Sequence, residues 1–255
     1  HNNQCLTYGQ KLTKEQRMRP IPLKSARLTT LLSNITNEFF KPEAVKIISK
    51  AQPKLDELQP GVDSCSDEYL EAALKMPVRE YGYPRACLGH GMDNTGFQNW
   101  EVFDTARRQV KRVGNFLGTP VVALTMIYPD NGYIGWHHNG NAPGYNILMS
   151  YSQDGDGYFS WYDRHTKQIN KIQDTPGKWT VKVGYYPNER TETERVYWHC
   201  AATKKQRISV AFILNHRDMW LSMINAISEG DYDKEYVQGQ GDTGYLSTHG
   251  MQQYL

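Results

Sequence analysis

Between residues 121 and 214 the chain consists of short runs rich in β-branched and aromatic residues, each closed by turn formers, and that punctuation leaves few folds open. The runs are 121–128, 133–137, 145–152, 157–162, 167–173, 177–186, 195–199 and 207–214. Asp130-Asn131-Gly132, Asp154-Gly155-Asp156-Gly157, Thr175-Pro176-Gly177 and Pro187-Asn188-Glu189 supply the turns. Trp179, Val181, Val183 and Tyr185 alternate as a half-buried strand requires. Such a series predicts a jelly-roll or double-stranded β-helix.

The preceding segment has a different texture. Leu28, Leu31, Leu32, Ile35 and Phe39 recur at helical spacing, and Pro42 is expected to close that helix. Ser66 is a suitable cap for a helix over 66–75. The clearest helix is 102–117, where Phe103, Ala106, Val110, Val113 and Leu117 form one apolar stripe. The expectation is an α+β, mainly β protein: an irregular arm over 1–27, then one domain over 28–228, then a polar, Gly-rich tail over 229–255. Within the domain, helical 28–117 precedes the jelly-roll core 118–214, whose outer face the helices would cover, and a short helix lies in 215–228.

Polar residues fall on one parity of three β runs. His137 and Asn139 share a face if their strand continues to 139, Tyr197 and His199 share one opposite Val196 and Trp198, and Arg207 and Ser209 share one opposite Ile208, Val210 and Phe212. A barrel with a wet, metal-bearing interior wants that arrangement. Neutral imidazoles suit Fe(II), and a buried arginine with a hydroxyl two residues on suits a carboxylate in forked geometry.

Residues 121–214 resemble the core of the Fe(II)/2-oxoglutarate-dependent oxygenase superfamily, in an AlkB-like or phage-encoded style. The resemblance rests on Ile127-Tyr128, Trp136-His137-x-Asn139, His199 and Arg207-x-Ser209-x-x-Phe212. It implies a double-stranded β-helix, Fe(II) and 2-oxoglutarate as cofactors, and hydroxylation of an unidentified substrate with release of succinate and CO2. By position, His137, Asn139 and His199 carry over as metal ligands, Arg207 and Ser209 as the 2-oxoglutarate carboxylate clamp, and Tyr128 as a second contact to that carboxylate. Two departures stand out: Asn139 replaces the acidic ligand, and Ile213 stands where AlkB-like enzymes carry a second arginine. Three readings of Asn139 stay open: a direct amide ligand in a hydroxylase, a residue orienting water or halide as in a halogenase, or the mark of a non-catalytic jelly-roll reused as a virion or assembly component. His138 is a rival first ligand, and Gly140 would then hold the third position. His137 is preferred because it follows the aromatic residue of the motif.

Charge is nearly balanced, with 29 basic and 27 acidic side chains among 255 residues, so no polyelectrolyte partner is implied for the whole chain. Arg107, Arg108, Lys111 and Arg112 occupy the polar side of helix 102–117, which reads as a solvated face, with a nucleic-acid patch as the less favoured alternative. No apolar run is long enough for a membrane helix. Cys5, Cys65, Cys87 and Cys200 lack metal-cluster spacing and favour a reducing compartment. The expected location is the cytoplasm, that of a host cell if the gene is a phage's. His90, His165, His216 and His249 lack ligand context, and Cys200 should face away from the metal by parity.

Overall fold

A computed structural model describes residues 12–92 and 100–230, the side chain of Trp100 excepted. Residues 1–11 of the expected arm, residues 231–255 of the tail, Cys5 and His249 lie outside the described residues.

The elements run β1 (Arg19–Ile21), α1 (Ala26–Phe39), α2 (Pro42–Ile48), α3 (Asp67–Ala73), β2 (Cys87–Leu88), β3 (His90–Gly91) and α4 (Trp100–Leu117). Then come β4 (Val122–Tyr128), β5 (Tyr133–His137), β6 (Gly144–Ser152), β7 (Tyr158–Asp163), β8 (Gln168–Gln173), β9 (Lys178–Tyr186), β10 (His199–Ala202), β11 (Arg207–Leu214) and α5 (Arg217–Glu229). Two antiparallel sheets result, ordered β1-β9-β6-β11-β4-β3 and β2-β5-β10-β7-β8. From β4 onward the chain changes sheet at every connection except the β7–β8 hairpin, so consecutive runs end up on opposite walls.

Period-two alternation divides the larger sheet into two chemistries. Ile127, Ile147, Met149, Val181, Val183, Ile208, Val210 and Phe212 point outward and form one core with α1, α4 and α5. Met126, Tyr128, Leu148 and Ala211 point inward. In the smaller sheet Trp136, Trp198 and Cys200 pack outward with Val196, under α3 and the 3-10 turn Val78–Tyr81. Cys200 therefore has the outward face expected of it.

Several boundaries differ from expectation. The arm over 1–27 is not irregular throughout: Arg19–Ile21 add an edge strand to β9, and α1 already begins at Ala26, with the Ser25 hydroxyl accepting from the Leu28 N–H at 3.1 Å. Pro42 does not close α1 but opens α2, because its missing N–H costs nothing in a first helical turn. The Ser66 cap forms as expected, accepting from the Tyr69 N–H. The run 195–199 is not a strand. Thr193–Arg195 form a 3-10 turn tied to Glu192, and pairing begins only at His199.

Trp220 anchors α5 to the larger sheet. It is fully buried, its Nε1–H donates to the Asn146 carbonyl at 3.0 Å, and its ring lies 5.1 Å from that of Tyr145. Trp220→Ala should remove about 3–5 kcal/mol of stability. Urea unfolding would read this as a lower midpoint at unchanged slope.

Candidate active site

β5 and β10 run antiparallel with His137 directly opposite His199, and a register shift follows between His199 and Ala201. The two imidazoles lie 4.3 Å apart between ring centroids. Each Nδ1 sits 2.8 Å from the carbonyl two residues earlier, Gly135 for His137 and Tyr197 for His199. A carbonyl only accepts, so each Nδ1 carries the proton and each Nε2 keeps its lone pair. Burial pushes His137 down to about 4, despite the Gly135 carbonyl that favours its charged form. Burial, then the neighbouring His137, holds His199 well below its ordinary value. Both rings are therefore neutral at physiological pH. Tyr186 stacks on His199 at 4.9 Å with the planes 5° apart.

Asn139 reaches the pair by an unexpected route. The strand ends at His137, so alternation does not carry Asn139 to the same face. Instead Asn139 adopts φ 52, a left-handed conformation that asparagine tolerates better than most residues. Its N–H donates to the Gly82 carbonyl at 3.0 Å, and the turn brings its Nδ2 to 3.2 Å from His199 Nε2. In that orientation the amide donates to the unprotonated ring nitrogen, and rotating the amide by half a turn would bring its oxygen to the same point.

His138 faces the other way. One ring nitrogen meets the Val78 carbonyl at 2.6 Å, the other accepts from the Gly140 N–H at 3.0 Å, and the ring packs edge-on against Trp198. Both His138 nitrogens are thus occupied, and His138 does not line the cavity that His137 and His199 share.

His137, Asn139 and His199 line a cavity of about 510 Å³ between the sheets, together with Tyr128 and Ser209. Arg207 lies just behind that second pair, 1% exposed, with Nη1 donating to Ser209 Oγ at 2.8 Å and the guanidinium carbon 5.4 Å from the Tyr128 ring centre. All six residues expected at the site therefore gather around one cavity. Burial pushes Tyr128 up to about 12, against the pull of Arg207.

A charge network behind Arg207 was not foreseen. Asp174, in the loop between β8 and β9, accepts from Arg207 Nε at 2.6 Å and from Nη2 at 3.3 Å. It also accepts from the Ser150 hydroxyl at 3.1 Å, and Ser150 in turn accepts from Lys182 Nζ at 2.6 Å. Gly157 makes room for the pair, since a Cβ there would stand 2.6 Å from both Arg207 Cδ and Asp174 Oδ2. Burial alone would raise the Asp174 carboxyl, but the adjoining Arg207, then Lys182 and Ser150, overturn that and hold it below the usual carboxylate range. Lys182 carried a usable signal, a lysine at an inward position of a strand otherwise flanked by Val181 and Val183. Asp174, one turn residue among many, carried none.

The other candidates lie elsewhere. Arg107 donates to the Met92 carbonyl at 2.8 Å, Arg108 pairs with Asp104, and none of Arg107, Arg108, Lys111 and Arg112 lines the cavity. Ile213 holds the inward parity of β11 but packs on Gly144, where a Cβ would stand 2.6 Å from its Cγ2.

Among the described residues no three His, Cys, Asp or Glu side chains form a metal cluster. The donor set is two neutral imidazoles and an amide, which fits a divalent first-row ion with fewer ligand charges than a carboxylate set provides. The Nδ1-to-carbonyl bonds supply the orientation that ligating histidines require.

Among solved structures the chain is similar to a prolyl-4-hydroxylase from Pseudomonas putida, 10% identical over 78% of this chain and 92% of that one, with a TM-score of 0.36. It is also similar to the dioxygenase for auxin oxidation of rice, 14% identical over 76% of this chain and 71% of that one, with a TM-score of 0.34. A third is Peruvianin-I, a cysteine peptidase from Thevetia peruviana latex, 13% identical with a TM-score of 0.25; the match takes in 35% of this chain and about half, 48%, of that one. No protein-family model and no curated protein matches.

His137→Ala and His199→Ala should each abolish Ni(II) binding in titration calorimetry. His138→Leu should keep it, while losing about 1–3 kcal/mol of stability through the groups it strands. Asp174→Asn should cost about 3–5 kcal/mol by leaving Arg207 buried without its anion. Because the folded Asp174 pKa is depressed, its stabilisation is present above the unfolded value of about 4 and is lost as pH falls through the folded one. The variant should therefore lose less stability than the native protein between pH 5 and the acid end of a denaturation series.

Proposed function

We propose that the chain is an Fe(II)- and 2-oxoglutarate-dependent dioxygenase, built on a double-stranded β-helix, that hydroxylates a substrate with release of succinate and CO2. The observation that carries this reading is the cross-strand pair His137 and His199, with the Asn139 amide in contact, on the wall of a cavity whose other end presents Ser209 and Tyr128 before Arg207. The sheet order supports the double-stranded β-helix, because chain runs from β4 to β11 alternate between the two walls.

The residues divide the work. His137 and His199 would hold iron through Nε2, with the Asn139 oxygen as a neutral third donor after its amide turns. Bound iron and 2-oxoglutarate supply oxidising power from O2, and the chain supplies position and exclusion of water. The guanidinium edge of Arg207 that does not face Asp174 would meet a carboxylate with the Ser209 and Tyr128 hydroxyls beside it. Asn139, in contact with His199 Nε2, would take the third ligand place itself, which favours hydroxylation over halide binding.

The test is succinate release from 2-oxoglutarate on adding Fe(II), compared between the native protein and Asn139→Asp. A carboxylate adds a unit of negative charge at the metal, so Fe(II) should bind at least about tenfold more tightly in the variant, with turnover kept or raised. A halogenated product from the native protein with chloride present, lost in the variant in favour of hydroxylation, would instead support halide at the third position. A folded protein with neither metal binding nor succinate release in either form would make the barrel a binding scaffold.

A further inference from the structure

The clamp expected of Arg207 has a peculiarity. Its Nε and Nη2 already serve Asp174, an internal carboxylate, so the arginine's charge is cancelled before any ligand arrives. A neutral pair offers an incoming carboxylate little attraction. The missing positive charge lies two strands away, on Lys182, which is 0% exposed and joined to Asp174 through the Ser150 hydroxyl.

Register explains why this lysine bears on the cavity. Lys182 on β9 stands opposite Leu148 on β6, and Leu148 stands opposite Ala211 on β11, so the three share the inward face. Leu148 and Ala211 line the cavity directly. Thr180, two residues before Lys182 and therefore on the same face, has a buried Oγ1 with no partner among the described residues. The elements packed around Lys182 present Leu148 and Ser150 from β6, Pro20 from β1, Ala211 and Arg207 from β11, and Asp174 from the β8–β9 loop. Arg207 and Asp174 are the charged groups among them, and they nearly offset each other.

We propose that Lys182 is a positioning residue for the co-substrate: a carboxylate captured at Arg207, Ser209 and Tyr128 draws a proton from solvent onto Lys182, which makes the buried cluster net positive. The inference rests on the reading of this cavity as a 2-oxoglutarate site. Its physical basis is the one-cation deficit: Arg207 and Asp174 stay ionised together, so Lys182 is the group whose charge can change. Burial, then the repulsion of Arg207, brings Lys182 down to about 7, with Asp174 opposing. It is thus poised to gain a proton when an anion arrives nearby. No covalent step is involved, and the proton comes from buffer.

The experiment is calorimetric titration of the Mn(II)-loaded protein with 2-oxoglutarate under nitrogen, in Tris and in PIPES, across pH 6.5–8.5. The native protein should take up a large fraction of one proton per ligand near pH 8, with affinity falling by up to about tenfold per pH unit above neutrality. Lys182→Met should bind about tenfold or more weakly at pH 6.5, show no proton uptake and lose its pH dependence. Lys182→Arg carries a permanent charge, so it should bind as tightly as the native protein at pH 6.5 and stay tight at pH 8.5 without uptake. A purely structural lysine would weaken both variants without changing the proton count. Binding without proton uptake in the native protein, or uptake that survives in Lys182→Met, overturns the inference and leaves the site reading standing. No binding of 2-oxoglutarate at pH 6.5 overturns both.

Discussion

The structure is organised around β11, a strand with all eight residues from Arg207 to Leu214 buried, and around the ion pair that lets such a strand begin with an arginine. Ile208, Val210 and Phe212 on one face bind the sheet to α1, α4 and α5. Arg207 and Ser209 on the other face would be costly to desolvate alone, because a buried cation without an anion loses far more hydration than packing returns. Asp174 supplies that anion through two bonds, and Gly157 leaves the space in which they meet. The polar interior thus depends on a residue that lies on no strand.

Burial has opposite uses at the two ends of the cavity. Around His137 and His199, desolvation disfavours the imidazolium form and leaves two neutral rings, while backbone carbonyls hold the Nδ1 protons and leave Nε2 unprotonated. Around Arg207, desolvation sharpens every Coulomb interaction, so charges that would be screened at the surface govern what can bind. Met126, Leu148, Phe159 and Ala211 add apolar lining to the same cavity.

Much of this was legible in the chain. Seven of the eight β runs were visible because β-branched and aromatic residues cluster between turn formers, the run 195–199 being the exception, and His137, His199, Arg207 and Ser209 stood out because polar residues occupied the parity opposite an apolar face. Errors arose where local geometry overrode the pattern. Pro42 is read equally well as the end of one helix or the start of the next until the chain path is known. Asn139 reaches the histidines through a left-handed turn, which two-residue periodicity does not describe. The choice between His137 and His138 needed the Val78 carbonyl and the Gly140 N–H, one of them 60 residues away in sequence.

By itself the sequence determined which faces are apolar, hence most of the long strands and helices and which of their polar residues are turned inward, since alternation and helical spacing are local properties of the backbone. Tertiary structure alone decided which inward residues meet. Asp174, Ser150 and Lys182 come from a loop and two strands, and their partnership with Arg207 follows from sheet order rather than spacing. Electrostatic interactions act through space at a few ångströms, and the distances that set them exist only after the two sheets have closed over the cavity.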